Sequence, residues 1–109
     1  MSMAASTVGP EPDRAKIDST RGPLLLEFGA SWCGYCRAVQ APLKEALARH
    51  PHVRHIRIED GRGRKLGRTF GVKLWPTLVM LHDGREMERL VRPGHAEAIV
   101  EALERIDFE

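Results

Sequence analysis

The feature that most constrains the fold is a short apolar run, LLLEFGA at residues 24–30, which leads directly into the sequence SWCGYC. A run of this length between Gly-Pro and Gly predicts a β-strand buried on both faces, as inside a parallel sheet. Residues 34–49 follow with apolar side chains at helical spacing, and residues 53–58, VRHIRI, alternate apolar and basic side chains like a second strand. The order strand, helix, strand predicts a right-handed βαβ unit with both cysteines where the first strand meets the helix.

The remaining segments complete one predicted α/β domain. Pro42 should kink the helix that contains it. A short helix is expected over residues 63–70, a β-hairpin around Asp83-Gly84, and a final helix over residues 95–106 with its apolar residues on one face. We therefore predict a central mixed sheet of four to five strands flanked by helices on both faces.

The sequence predicts a domain boundary between residues 20 and 21. Residues 1–20 are expected to form an N-terminal lead-in that is partly ordered or contains a short helix, with Pro12 near the start of that helix. Residues 21–109 form the domain. At 109 residues the chain has room for one domain, and a domain of this size buries a core without a disulfide or metal.

Composition narrows the class of function. A net charge of +2 argues against a nucleic-acid binder, and the sequence contains no apolar run of membrane-spanning length. The first twenty residues lack the apolar core of a signal peptide, so we expect a monomeric protein in the cytoplasm that does not associate with membranes.

The two cysteines, Cys33 and Cys36, allow three interpretations. A structural disulfide is disfavoured because the cytoplasm is reducing and a four-residue loop gains little from closure. A zinc site needs more ligands, and the sequence HPHVRH offers His50, His52 and His55 as candidates. Redox chemistry is the interpretation that a C-x-x-C sequence on a βαβ pattern favours.

The predicted position of the pair explains how it could react. A cysteine that opens a helix lies near unpaired N–H groups and the positive end of the helix dipole, so Cys33 should ionise readily. Cys36 lies about one turn further and could attack a mixed disulfide formed at Cys33. Gly34 would let the backbone of a partner approach closely, and Trp32 would shield the pair on one side.

Residues 54–73 carry seven basic and two acidic side chains. This segment could steer acidic partner proteins toward the cysteines, or it could simply be a solvated surface.

Two stretches, LLLEFGASWCGYCRAV and FGVKLWPTLVMLHDGRE, resemble the thioredoxin superfamily over residues 24–106. The resemblance implies the sheet-and-helix fold predicted above and an activity on protein disulfides. It also implies that Cys33 is the nucleophile, that Cys36 is the resolving thiol, and that Pro76 follows a cis peptide bond. A cis bond there would leave the carbonyl and amide of Trp75 free to pair with an extended partner segment.

The same resemblance assigns roles to residues around the cysteines. Glu27 matches a buried acid; its pKa should be raised by burial, so that it could take the proton of Cys36, unless it pairs with a nearby base instead. Trp75 could line the partner groove or cap the core, and Gly94 could contact the partner. Tyr35 stands where the commonest family motif has proline, and the Gly-Tyr dipeptide also occurs in family members that isomerise disulfides.

We therefore expect a thiol–disulfide oxidoreductase, most simply a reductase of protein disulfides that is itself reduced by a separate electron-donor protein. No metal or organic cofactor is expected. The alternatives are a disulfide isomerase or oxidase with the same residues, and a redox-sensing module that binds a fixed partner without turnover.

Overall fold

The computed structural model describes residues 4–7 and 11–108, in which five strands form one sheet in the order β1-β3-β2-β4-β5. The strands are β1 (Ala4–Thr7), β2 (Pro23–Gly29), β3 (Arg54–Glu59), β4 (Thr77–His82) and β5 (Arg85–Val91). The helices are α1 (Arg14–Asp18), α2 (Gly34–Ala38), α3 (Gln40–Ala48), α4 (Leu66–Thr69) and α5 (Ala96–Glu104).

The central strand is β2, as its apolar sequence predicted. It pairs in parallel with β3, where Leu26 lies opposite Ile56, and antiparallel with β4, where Leu26 lies opposite Val79. Residues 24–29 of β2 are all buried. The strand is covered on both faces because helices lie on each side of the sheet.

Alternation along the strands divides the apolar core into two clusters. Leu25 faces the side covered by α3 and α5, whereas Leu24 and Leu26 face the side covered by α1 and α4. The predicted mixed sheet with helices on both faces is confirmed.

The helix that follows the cysteines is divided in two. α2 ends at Ala38 and α3 begins at Gln40. Pro42 has no N–H to donate to the carbonyl of Ala38, and its ring crowds that carbonyl. The predicted kink is therefore a break between two helices, located one turn before the proline.

The predicted hairpin joins β4 to β5 at Asp83-Gly84, where both residues have positive φ, +51° and +81°. Two successive residues with positive φ are typical of a type I′ turn, which matches the twist of the strands. Gly84 is also required for space, because a Cβ there would lie 1.9 Å from the carbonyl oxygen of Asp18.

The segment before residue 21 contributes two elements. β1 pairs in parallel with β3. Asp13 caps α1 by accepting a hydrogen bond from the Lys16 N–H at 2.9 Å, and Ile17 is buried in the core. The predicted boundary between residues 20 and 21 stays a prediction, and the predicted lead-in at residues 1–3 and 8–10 lies outside the described residues. None of the helices in the described ranges has the length and apolar character needed to cross a membrane.

Candidate active site

Cys33 lies at the N-terminus of α2, four residues after the end of β2. It is the N-cap residue of the helix, and its sulfur accepts a hydrogen bond from the backbone N–H of Cys36 at 3.2 Å. Its own N–H donates to the carbonyl of Ala30 at 3.1 Å, which closes the turn between strand and helix. Only 6% of Cys33 is exposed. The sulfur is thus both largely buried and directed at backbone donors.

The two thiols have opposite acidities. Burial raises the pKa of Cys33, but the Cys36 thiol, the backbone N–H groups of Cys36 and Tyr35, and the charge of Arg92 together lower it below its usual value. Burial and the hydrogen bond to Cys33 raise the pKa of Cys36 to about 12. As the pH rises, Cys33 therefore ionises before Cys36.

The loop before β4 faces Cys33. The peptide bond between Trp75 and Pro76 is cis, and the Trp75 carbonyl oxygen lies 3.9 Å from the Cys33 sulfur. The sequence predicted that this carbonyl would be free for a partner, and that prediction is wrong. The guanidinium of Arg92 donates from Nε to the Trp75 oxygen at 2.7 Å.

Aromatic side chains surround the exposed edge of the pair. Trp32 and Tyr35 are 71% and 59% exposed. The rings of Trp32 and Trp75 meet edge to face with centroids 5.4 Å apart, and the Trp75 indole N–H donates to Asp60 at 2.9 Å. Trp75 also packs against the cluster of Ala30 and the two cysteines. Trp75 therefore covers the pair from one side and offers a partly exposed apolar surface beside it.

Glu27 is buried in β2 and paired on both carboxylate oxygens. Oε1 accepts from His55 Nε2 at 2.7 Å and from Arg57 Nε at 3.4 Å, and Oε2 accepts from Gln40 Nε2 at 2.7 Å. Gln40 also donates to the backbone carbonyl of Cys36 at 2.8 Å. Glu27 thus reaches the cysteine helix through one amide side chain.

The predicted raised pKa of Glu27 is wrong. Burial alone would raise the pKa, but the hydrogen bonds from His55 and Gln40 and the charge of Arg57 outweigh burial and lower it. The sequence also allowed Glu27 to pair with a nearby base, and in the structure it pairs with His55 and Arg57. Whether Glu27 accepts the proton of Cys36 stays a prediction.

A cavity of about 240 Å³ lies behind the cysteines, lined by residues that include Glu27, Gly29, Cys36 and Gln40. It has room for water molecules and polar groups to hold them. Gly29 keeps this wall open, because a Cβ at that position would lie 2.8 Å from the Cys36 sulfur.

The two glycines predicted to contact a partner lie in open surroundings. Among the described residues, a Cβ at Gly34 or Gly94 would meet no atom within 4 Å apart from its chain neighbours and the backbone of its own helix. Gly34 begins α2 next to Cys33, so a partner backbone can approach there. No described contact joins Gly94 to the cysteines, and its role stays a prediction.

Sequence reasoning missed Arg92 and the partners of Glu27. The predicted hairpin could have located Arg92. Counting residues outward along both strands from the turn places the end of β5 beside the start of β4, where Thr77 pairs with Val91. The same alternation that predicted β3 places His55 and Arg57 on one face of the strand. Their contact with Glu27 depends on the register between β2 and β3, which the sequence does not specify.

The histidines of HPHVRH diverge. His50 binds Asp107 at 2.6 Å and His55 binds Glu27. The ranges that the structure describes contain no group of three or more His, Cys, Asp or Glu side chains able to hold a metal ion.

Comparison with known proteins gives a consistent result. The thioredoxin family model matches residues 10–105. Thioredoxin Asp f 28 of Aspergillus fumigatus is 30% identical over 91 residues, which are 84% of each chain. The structure of thioredoxin 2 from Pseudomonas aeruginosa PAO1 in its reduced form superposes with a TM-score of 0.79 at 53% identity, covering 87% of this chain and 88% of the other.

Two thiols close together at the start of a helix on this fold, with pKa values shifted in opposite directions, are typical of a thiol–disulfide oxidoreductase. The chain belongs to the thioredoxin family.

Proposed function

We propose that this protein is a monomeric, cytoplasmic reductase of protein disulfides that receives its electrons from a separate reductase protein. The observation that carries the proposal is the Cys33 sulfur at the N-cap of α2, where it accepts a hydrogen bond from the Cys36 N–H at 3.2 Å. The same surroundings lower the pKa of Cys33 and raise that of Cys36 to about 12. A reductase needs one thiol that attacks at neutral pH and a second that stays protonated until a mixed disulfide has formed. The similarity to proteins named thioredoxin also supports a flow of electrons from this protein to the partner disulfide.

The proposed reaction begins at Cys33. Its thiolate attacks one sulfur of the partner's disulfide, the partner's S–S bond breaks, and the departing partner thiolate takes up a proton. A mixed disulfide now joins Cys33 to the partner. Loss of the negative charge on Cys33 removes one cause of the high pKa of Cys36.

Cys36 then loses its proton and attacks the Cys33 sulfur. The mixed disulfide breaks, the partner leaves with two thiols, and Cys33 and Cys36 are joined by a disulfide. Two electrons have moved from this protein to its partner. The electron-donor protein restores the dithiol by the reverse exchange.

We place the proton acceptor for Cys36 in the cavity behind it. Glu27 lines that cavity together with Cys36. Its lowered pKa keeps it ionised but makes it a weak base, so in this proposal it relays the proton and does not retain it. Water held in the cavity could carry the proton between them, because the described hydrogen bonds join Glu27 to the Cys36 backbone through Gln40 and not to its sulfur.

One observation favours the second candidate, a disulfide isomerase or oxidase. The backbone N–H of Tyr35 helps to lower the pKa of Cys33, and a proline at this position would have no N–H. Extra stabilisation of the thiolate makes the reduced form more stable and the reduction potential higher.

The equilibrium potential of the Cys33–Cys36 pair against glutathione decides between the two candidates. A value near about −270 mV supports the reductase, whereas a value above about −200 mV supports the isomerase or oxidase. Turnover is measured in parallel by reduction of insulin disulfides with a dithiol donor, with Cys33→Ser as the inactive control. Cys36→Ser should accumulate the mixed disulfide. Absence of turnover by the folded wild-type protein would contradict both activities and favour a binding module.

A further inference from the structure

Arg92 has a backbone conformation that is uncommon for a residue with a side chain. Its φ is +53°, in the left-handed region that glycine occupies most easily. The backbone is held there by a hydrogen bond from the Arg92 N–H to the Pro76 carbonyl at 3.0 Å. A strained backbone at the edge of a reactive site raises the question of what the side chain does.

The side chain is held in one place by two further contacts. Nε donates to the Trp75 carbonyl at 2.7 Å, and the guanidinium carbon lies 4.0 Å above the centre of the Tyr35 ring. Because Cys33 approaches the same Trp75 oxygen, the guanidinium and the reactive sulfur flank one carbonyl group.

The arginines of β5 and of the segments that follow it differ in their ionic partners. Arg89 pairs with Glu86, and Arg105 of the last turn pairs with Glu88. Within residues 11–108, no carboxylate of the chain forms an ion pair with Arg92. The carboxylate on the other side of Trp75, Asp60, is bound to the indole N–H. The Arg92 side chain is exposed and uses Nε to bind the Trp75 carbonyl. Its terminal N–H groups are therefore available to bind a group from outside the chain.

We propose that Arg92 is a specificity-determining residue whose guanidinium binds a carboxylate close to the disulfide of the partner protein. The planar guanidinium fits a carboxylate with two parallel hydrogen bonds. An extended chain advances about 3.3–3.6 Å per residue, so the carboxylate belongs to an Asp or Glu within about two residues of the attacked cysteine.

The proposal rests on the proposed disulfide chemistry and adds a partner class to it. The charge of Arg92 also contributes to the lowered pKa of Cys33. Any variant that removes the charge will thus change the thiolate fraction as well as partner binding. The test must separate these two effects, so it compares ratios of rates measured on one protein.

The first arm compares two disulfide peptides that differ only in having Asp or Lys beside the cysteine. At low salt the wild-type protein should reduce the Asp peptide about 2–5-fold more efficiently in kcat/KM, as expected for one exposed ion pair. Arg92→Gln should bring the ratio close to one, and Arg92→Lys should retain most of it. Arg85→Gln, which removes an exposed charge at the hairpin end of β5, is the matched control and should keep the wild-type ratio. An unchanged ratio in Arg92→Gln, or an equal loss in Arg85→Gln, would overturn the proposal.

The second arm does not depend on turnover. Reduced protein is alkylated with iodoacetate, which carries a carboxylate, and with iodoacetamide, which is neutral, and the ratio of the two rates cancels the thiolate fraction of Cys33. This ratio should fall about 2–5-fold in Arg92→Gln and stay at the wild-type value in Arg85→Gln. If the wild-type protein reduced neither peptide, the proposed reductase would fail while this ratio still decided the role of Arg92. A ratio unaffected by Arg92→Gln would refute it.

Discussion

The backbone N–H of Tyr35 is one of the groups that lower the pKa of Cys33, and it can be removed without removing a side-chain contact to the sulfur. Tyr35→Pro deletes this donor because proline has no backbone N–H. Tyr35 lies in the first turn of α2, where proline is tolerated. The substitution should raise the pKa of Cys33 and make the pair more reducing.

The size of the change in potential follows from the charge on the acceptor. A hydrogen bond to a charged group contributes about 1.5–3 kcal/mol, and Cys33 is largely buried, so solvent replaces little of that loss. The disulfide form carries no charge on this sulfur and loses little. For a two-electron couple about 1.4 kcal/mol corresponds to 30 mV, so the potential should fall by about 30–65 mV.

Tyr35→Ala is the matched control for this experiment. It removes the ring that lies under the Arg92 guanidinium, as Tyr35→Pro also does, but it keeps the N–H. The potentials of the wild-type protein and both variants are measured against glutathione at the same pH, and the pKa of Cys33 is titrated in each of the three proteins. If Tyr35→Pro and Tyr35→Ala had the same potential, the backbone donor would not stabilise the thiolate and the reasoning would fail.

Two further predictions concern the wall behind the cysteines. Gly29→Ala places a Cβ 2.8 Å from the Cys36 sulfur, so the sulfur must move. If this displacement costs ~1.4 kcal/mol, the mixed disulfide should persist about tenfold longer in a stopped-flow chase. Resolution of the mixed disulfide at the wild-type rate would contradict this. Because the pKa of Glu27 is lower in the folded protein than its unfolded value of 4.5, the ionised carboxylate stabilises the fold above pH 4.5. This stabilisation is lost as the pH falls through the folded pKa and the carboxylate is protonated. Chemical denaturation should therefore find Glu27→Gln less stable than wild type at neutral pH, with the difference shrinking below about pH 4.5; a difference constant with pH would show that the charge of the carboxylate does not matter.

The local elements of this fold were predictable because each depends on neighbours in sequence. The apolar run at residues 24–30 could only be a buried strand or part of a buried helix, and its short length between Gly-Pro and Gly favoured the strand. Asp83-Gly84 specified a tight hairpin because both residues tolerate positive φ. Cys33 at the start of a helix followed from the order of strand and helix, and with it the prediction of a reactive thiolate.

The environment of Glu27 was not predictable from these local rules. A glutamate in an apolar strand is expected to have a raised pKa if nothing accompanies it. The pairing of β2 with β3 brings Arg57 opposite Glu27, and His55 from the same strand binds the carboxylate. These contacts reverse the direction of the pKa shift, and they exist only because two strands separated by two helices pair in one register.

Arg92 gives the same result at the exposed edge of the site. Its sequence context, VRPGH, indicated only a loop before the last helix. Closing the sheet places that loop beside the Trp75–Pro76 bond, where the guanidinium takes the carbonyl that we expected to be free.

The sequence by itself thus determined which chemistry is possible, because a pair of thiols three residues apart at a strand–helix junction is a local arrangement of neighbouring residues. Only the tertiary structure decided which charges surround that pair. Electrostatic interactions depend on distance in space, and the charged groups that act on Cys33 and Glu27, namely Arg92, His55 and Arg57, lie far from them along the chain.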